Sequence, residues 1–201
     1  MIKVILLFII TLSVCTSARA ASDPAQEALE TLRRGFAGTT DFTADLTQEK
    51  QLSLMKRKIV SKGVVRFKKP DTFLMELYPP HASRFLMKDN VMTLRFPDRG
   101  VTDRVVLPPE EGLKKWFAYL VSSDRSLPDG VALKAERNGK HWTLQLYPKE
   151  KGAVQQLTLS FDSEGAINRI VIEERNGDRT TLVFSKFRRN VGLRDKDFRI
   201  E

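Results

Sequence analysis

The sequence predicts a mainly β fold: one strongly curved antiparallel sheet, or unclosed barrel, of about ten or eleven strands with amphipathic helices over its concave face. Three observations predict it. Apolar residues alternate with a period near 2 through most of the chain after Thr40. Turn sequences at Lys88-Asp89-Asn90, Asn138-Gly139, Asp162-Ser163-Glu164-Gly165 and Asn176-Gly177 punctuate that alternation. Helical periodicity in the exported part is confined to two short stretches, too few for a helix-backed small sheet of this many strands.

The first twenty residues read differently from the rest. Lys3, an apolar run from Val4 to Val14 and the small-residue exit Ala18-Arg19-Ala20 form a secretory signal, cut after Ala20. The run is only about a dozen residues, against roughly 20 needed to span a bilayer. Cys15, the single cysteine, lies inside this segment behind Val14, which is no lipoprotein cleavage pattern. The exported chain, residues 21–201, is then one domain held by packing alone, with neither disulfide nor thiol nucleophile, and a periplasmic location follows.

Asp23-Pro24-Ala25-Gln26 supplies a capping residue and then a proline where the missing N–H costs nothing. Ala25, Ala28, Leu29, Leu32 and Phe36 follow at helical spacing as one apolar stripe. After Gly38 come the strands: Phe42–Thr47, Ile59–Phe67, then Phe73, Met75 and Leu77 on one face with Leu74, Glu76 and Tyr78 on the other. Arg84–Met87 and Val91–Phe96 form a hairpin, as do Val131–Glu136 with Trp142–Tyr147 and Ile167–Glu173 with Thr180–Phe184. Leu157, Leu159 and Phe161 mark a strand, and Phe198-Arg199-Ile200 reads as a last short one. Between Pro108 and Val121 the period returns to helical, with Leu113, Trp116, Phe117, Leu120 and Val121 on one stripe.

Reactive groups do not converge anywhere in this sequence. His81 and His141 have no second ligand at metal spacing, and Ser53-Leu54-Met55-Lys56 matches S-x-x-K without its partner motifs. No phosphate-binding glycine loop and no G-x-S-x-G is present. The sequence therefore predicts no catalytic residue, no metal and no cofactor. Removing Lys3 and Arg19 with the signal takes the formal charge from +9 to +7, and export makes nucleic acid an improbable partner despite it. The cluster Lys56-Arg57-Lys58, Lys62, Arg66, Lys68, Lys69 reads either as a docking rim for an anionic surface or as a solvated strand edge. Arg188-Arg189 reads as solvated. Adaptable apolar side chains, Phe67, Phe73, Met75, Leu77, Phe85, Met87, Met92, Leu94 and Phe96, gather on the concave side, as either an ordinary core or the wall of a hydrophobic site.

The order of local motifs favours the second. Phe42-Thr43-Ala44-Asp45-Leu46-Thr47-Gln48 resembles the F-x-A-x-F-x-Q strand of the periplasmic outer-membrane lipoprotein carrier (LolA) family. Gly63-Val64-Val65-Arg66-Phe67-Lys68-Lys69-Pro70 is similar to its G-x-L-x-[VF]-K-R-P strand, and Phe73–Leu77 with Pro79-Pro80 to the strand and loop that follow. Phe96-Pro97, Phe161–Gly165 and Phe198–Ile200 resemble later family motifs. The resemblance implies a helical lid over a hydrophobic cavity that shields the acyl chains of lipoproteins between an inner-membrane lipoprotein-releasing transporter and an outer-membrane receptor lipoprotein, with the carrier a monomer and no enzyme. It implies a cavity lined by Leu46 and the nine side chains named above, and a lid face of Leu29, Leu32, Phe36, Trp116, Phe117 and Leu120. It also implies lid control at Lys69, where the family has an arginine that bonds lid backbone. That substitution, Leu46 for the second phenylalanine, and the absence after Glu201 of the family's continuation through P-x-G imply a divergent branch. Two alternatives stay open: a carrier of other lipids or glycolipids, and an envelope-stress sensor or interaction module on the same half-barrel.

Overall fold

The structure is a computed structural model that describes residues 23–55, 58–106, 130–149 and 152–200. The signal segment, Lys56-Arg57, and the predicted helix from Pro108 to Val121 lie outside the described residues. α1 (Pro24–Ala37) is followed by β1 (Asp41–Gln51), β2 (Lys58–Lys68), β3 (Thr72–Leu77), β4 (Ser83–Lys88), β5 (Val91–Phe96), β6 (Val101–Val106), β7 (Val131–Asn138), β8 (His141–Pro148), β9 (Val154–Asp162), β10 (Ile167–Glu174) and β11 (Arg179–Arg189). All eleven strands form one antiparallel sheet in the order β6-β5-β4-β3-β2-β1-β11-β10-β9-β8-β7, with β6 and β7 as unjoined edges. This is the curved, unclosed sheet that the alternation predicts.

Local chemistry explains the joints. Asp23 caps α1 by accepting from the Ala25 N–H at 3.0 Å, and Pro24 opens it. Asp89 and Asn90 sit at φ 50° and 60°, the left-handed pair that a two-residue hairpin between Lys88 and Val91 demands. The Asp162 carboxylate accepts from the Glu164 and Ala166 amides, both at 2.9 Å, and Gly165 takes φ 74°.

Register places the apolar residues on one face. A single rung runs Leu94, Phe85, Met75, Val65, Ala44 across β5 to β1, and another runs Ala135, Leu144, Leu159, Ile170, Leu182 across β7 to β11. Two bulges break the strict alternation. One falls at Asn168, so that Ile167 and Ile170 both face inward; the other falls at Lys186, with φ 51°, so that Phe184 and Phe187 both do.

The core lies where α1 crosses this face. Ala28, Leu29, Leu32 and Phe36 are buried against Leu46, Phe67, Trp142, Leu144, Leu146 and Phe161. Three contacts fasten the helix. Arg137 on β7 bridges Glu27 at 3.2 Å near its start. Gly35 meets the Glu164-Gly165 backbone so closely that a Cβ on either glycine would strike main chain. At its end the Lys69 ammonium donates to the Phe36 and Ala37 carbonyls at 3.1 and 3.4 Å. The Ala37 carbonyl is one of the acceptors a helix C-terminus leaves unpaired, while that of Phe36 also accepts the Thr39 N–H at 3.1 Å.

Three expectations are corrected. Phe198 does not begin a strand: Asp195–Phe198 is a 3-10 turn against β3, held by Lys68 to Asp195 at 2.8 Å and by the Arg194 N–H to Asp197 at 2.7 Å, with Phe198 buried. The eleventh strand is instead β6, whose side chains are all exposed and which is paired only along β5. β2 is no sheet edge, since β1 and β3 flank it. Its basic residues alternate outward, and Lys58 pairs with Glu49 at 2.6 Å, Arg66 with Glu76 at 3.3 Å and Lys68 with Asp195.

Candidate functional site

The concave face is apolar along the middle of the strands, and α1 covers only part of it, reaching β7, β8, the β9–β10 turn and, through Phe36, β1. On β4 and β5 the inward residues Phe85, Met87, Met92, Leu94 and Phe96 stay half-buried. Packed core thus gives way, across the width of one sheet, to apolar surface with no cover among the described residues.

A cleft of about 130 Å³ opens at this boundary, lined by Phe36, Phe42, Val65, Phe73, Met75, Ile167, Ile170, Leu182, Phe184 and Phe187. Its wall exposes no polar surface. Aromatic rings shape one end: Phe42 stands edge-on to Phe36 at 6.1 Å and stacks on Phe187 at 4.8 Å. Met75 also lines a second, larger hollow of about 390 Å³ towards the other end of the strands. There the inward positions turn from apolar to polar: Leu77, Leu94 and Phe96 meet Gln48, Lys50, Ser61, Ser83, His81, Asp98 and Arg99. One flexible side chain therefore separates an apolar cleft from an amphipathic groove.

The residues predicted for the site fall into six groups. Phe36, Phe73 and Met75 line the cleft, while Leu77, Leu94 and Phe96 line the groove with Met75. Phe85, Met87 and Met92 lie on the same inward face of β4 and β5. Leu29, Leu32, Leu46 and Phe67 are buried in the packed core, where neither hollow reaches them. Trp116, Phe117 and Leu120 lie outside the described residues. Lys69 holds the end of α1, as described above.

Ile167, Ile170, Leu182, Phe184 and Phe187 form half of the cleft and were not anticipated. The signal was present as Ile-x-x-Ile and Phe-x-x-Phe, apolar spacings of three inside strands of period 2, which is what a bulge leaves in a sequence. Arg189 departs from expectation in the opposite direction. It lies opposite Phe42 on the inward face, and its Nε and Nη2 are buried rather than solvated.

The cleft offers dispersion contacts and displaces water, and no group of three or more metal-ligating side chains occurs among the described residues. No described helix is long and apolar enough to cross a membrane.

Comparison with known proteins agrees with this geometry. No curated protein matches the chain. Among solved structures, a DUF1329 family protein from Desulfovibrio piger is 12% identical with a TM-score of 0.50, over 89% of this chain and 98% of its own. The LolA superfamily protein NE2245 from Nitrosomonas europaea is 15% identical with a TM-score of 0.48, over 88% and 97%. The MucA/MucB complex from Pseudomonas aeruginosa matches at 9% identity with a TM-score of 0.47, over 88% of this chain and 61% of that one. The first of these, at a TM-score of 0.50, speaks for the fold alone. The family model described as outer membrane lipoprotein carrier protein LolA, however, matches residues 37–201, every strand of the sheet included, and on that match the chain belongs to the LolA family.

Proposed function

We propose that this protein is a periplasmic carrier that covers the acyl chains of lipoproteins on its concave face and moves them from the inner to the outer membrane. The observation that carries the reading is the unequal cover of one continuous apolar face: α1 seals one part, and a wholly apolar cleft opens beside it. A domain that used this face only as a core would close it. Family membership supports the same reading.

The physical need is large. Burying an acyl chain of about 16 carbons is worth on the order of 12 kcal/mol at ~0.8 kcal/mol per CH₂, so a lipoprotein does not leave a membrane for water unaided. Shallow contacts with Met75, Leu182 and the phenylalanine rings suit a carrier that must also release its load. In this reading the segment that the sequence predicts as a helix, Pro108 to Val121 with Trp116, Phe117 and Leu120, would complete the lid, and Lys69 governs the hinge end through α1. The partners are an inner-membrane lipoprotein-releasing transporter and an outer-membrane receptor lipoprotein, met by a monomeric carrier that performs no covalent chemistry.

The test is titration of the mature protein with a palmitoylated, fluorescently labelled peptide. Saturable binding at micromolar protein is expected. Leu182→Trp, which puts bulk into the cleft, should weaken it at least tenfold while leaving the melting temperature within a few degrees. No binding, or equal binding by the variant, would sink the reading.

A further inference from the structure

Arg189 is partly exposed, but part of its guanidinium is buried without a partner. Its guanidinium carbon lies 5.2 Å from the centroid of the Phe187 ring, and Phe42 stands opposite it in the sheet. Nε and Nη2 are both sealed from solvent, and neither donates to any group. Among the described residues Arg189 makes no ion pair. The nearest carboxylate along β1, that of Asp41, is already taken by the Val191 and Gly192 amides at 2.8 and 3.1 Å. The aromatic face returns some of the lost hydration, but a guanidinium carries five donors and tolerates burial poorly unless an anion meets it.

Phe42 and Phe187, the two neighbours of this cation, are walls of the apolar cleft; the guanidinium itself is no part of that wall, and a turn of either ring would bring it to the cleft. A cleft of about 130 Å³ suits a single hydrocarbon chain better than several. Met75 alone separates it from the groove at the far end, so a shift of that one flexible side chain would open a path for a tail. We infer that the cleft takes a single-chain amphiphile with a carboxylate or phosphate head, bound head-inward on Arg189 with its chain running towards Met75. The planar fork of donors matches either head in two parallel bonds. This inference rests on the reading that the concave face binds acyl chains, and narrows it to a class of lipid. An acylated protein whose chains join a neutral linkage would leave Arg189 unmet.

Displacement of the neutral dye N-phenyl-1-naphthylamine from the mature protein separates the possibilities. Palmitate, 1-palmitoyl-lysophosphatidic acid and hexadecanol share one chain and differ in the head. At least one of the two acids should displace the dye at a concentration tenfold or more below that of the alcohol, and the better one identifies the head. In Arg189→Met that preference should fall to about onefold while dye binding persists. Equal displacement by all three in the native protein, or a preference that survives in Arg189→Met, overturns the inference and leaves the carrier reading standing. Failure of dye and all three amphiphiles to bind overturns both. The melting temperature without ligand provides a second readout: losing an unpaired, partly buried cation should raise it by a few degrees. A fall of similar size would mean that the guanidinium has a partner within the protein, and would also overturn the inference.

Discussion

Lys69 shows how much one side chain can do at a helix end. Its ammonium meets two carbonyls that α1 cannot satisfy internally, where the helix dipole also favours a positive charge. Lys69→Met should cost about 1 kcal/mol, lowering the melting temperature by about 2–4 °C, with faster amide exchange at Ala37 and Gly38 as the local sign. Two exposed carboxylates set a pH dependence. The Lys68 ammonium, bonded to Asp195 and adding its charge, holds that carboxyl below its ordinary value of 3.8, and the Ser53 N–H does the same for Asp178. A lowered folded value means that each contributes stability above the ordinary carboxylate range and loses it as pH falls through the lowered value. Asp195→Asn should therefore flatten the fall in melting temperature below about pH 4 and change little at neutral pH beyond the loss of one surface ion pair.

At the scale of the element, the joint between α1 and the β9–β10 turn depends on two glycines back to back. Gly35→Ala would drive a methyl into the Glu164 carbonyl, and Gly165→Ala would drive one into that of Thr31 from a residue already at φ 74°. Each should cost about 1–3 kcal/mol, read as a lowered denaturant midpoint. Gly38→Ala, with nothing near its Cβ and no left-handed backbone, should stay within about 0.5 kcal/mol. Elements of this kind were legible in proportion to how local their cause is. The α1 stripe and the Asp89-Asn90 turn follow from neighbours a few residues apart, and both stand where the sequence placed them. β6 went unread because its alternation, Val101-Thr102-Asp103-Arg104-Val105-Val106, carries little inward apolar weight; pairing with β5 makes it a strand. Phe198-Arg199-Ile200 read as one because three residues cannot distinguish alternation from a tight turn, and the ion pair that decides the matter comes from Lys68, 127 residues away in the chain.

Across the whole molecule, the sheet is anchored on one side and open on the other. The β4–β6 region, half-buried to exposed and ending in a free edge, should exchange its amides faster than β1, β2 and β8, whose inward residues form the core. An acyl ligand at a hundred times its dissociation constant would add about 2.7 kcal/mol and should slow exchange first at Met75, Phe85 and Leu94. Uniform protection across all eleven strands would instead mean that the ligand tightens the fold without occupying this face. The location of the apolar face was readable from period alone, because register only had to align runs already alternating. What covers which part of it was not: burial of Leu46 and Phe67 beneath α1, and exposure of Phe85 and Met92 beyond it, follow from where a helix of fourteen residues ends.

The extra residue at Lys186 also sets which kinds of sequence change the cleft can survive. A substitution that tolerates φ 51° alters one outward side chain at 80% exposure, its bridge to Asp45 included, and nothing on the inward face. Deletion removes only the extra residue: Ser185 and Phe187 would become next neighbours, and in a strictly alternating strand Phe184 and Phe187, now two apart, would still share the inward face, with only the kink and added twist of the bulge lost. Loss of one codon at Lys186 or at Asn168 would thus keep the cleft wall facing inward, whereas a β-branched residue at 186, which resists the left-handed backbone there, would press the strand towards regular pairing at unchanged length and turn either Phe184 or Phe187 outward.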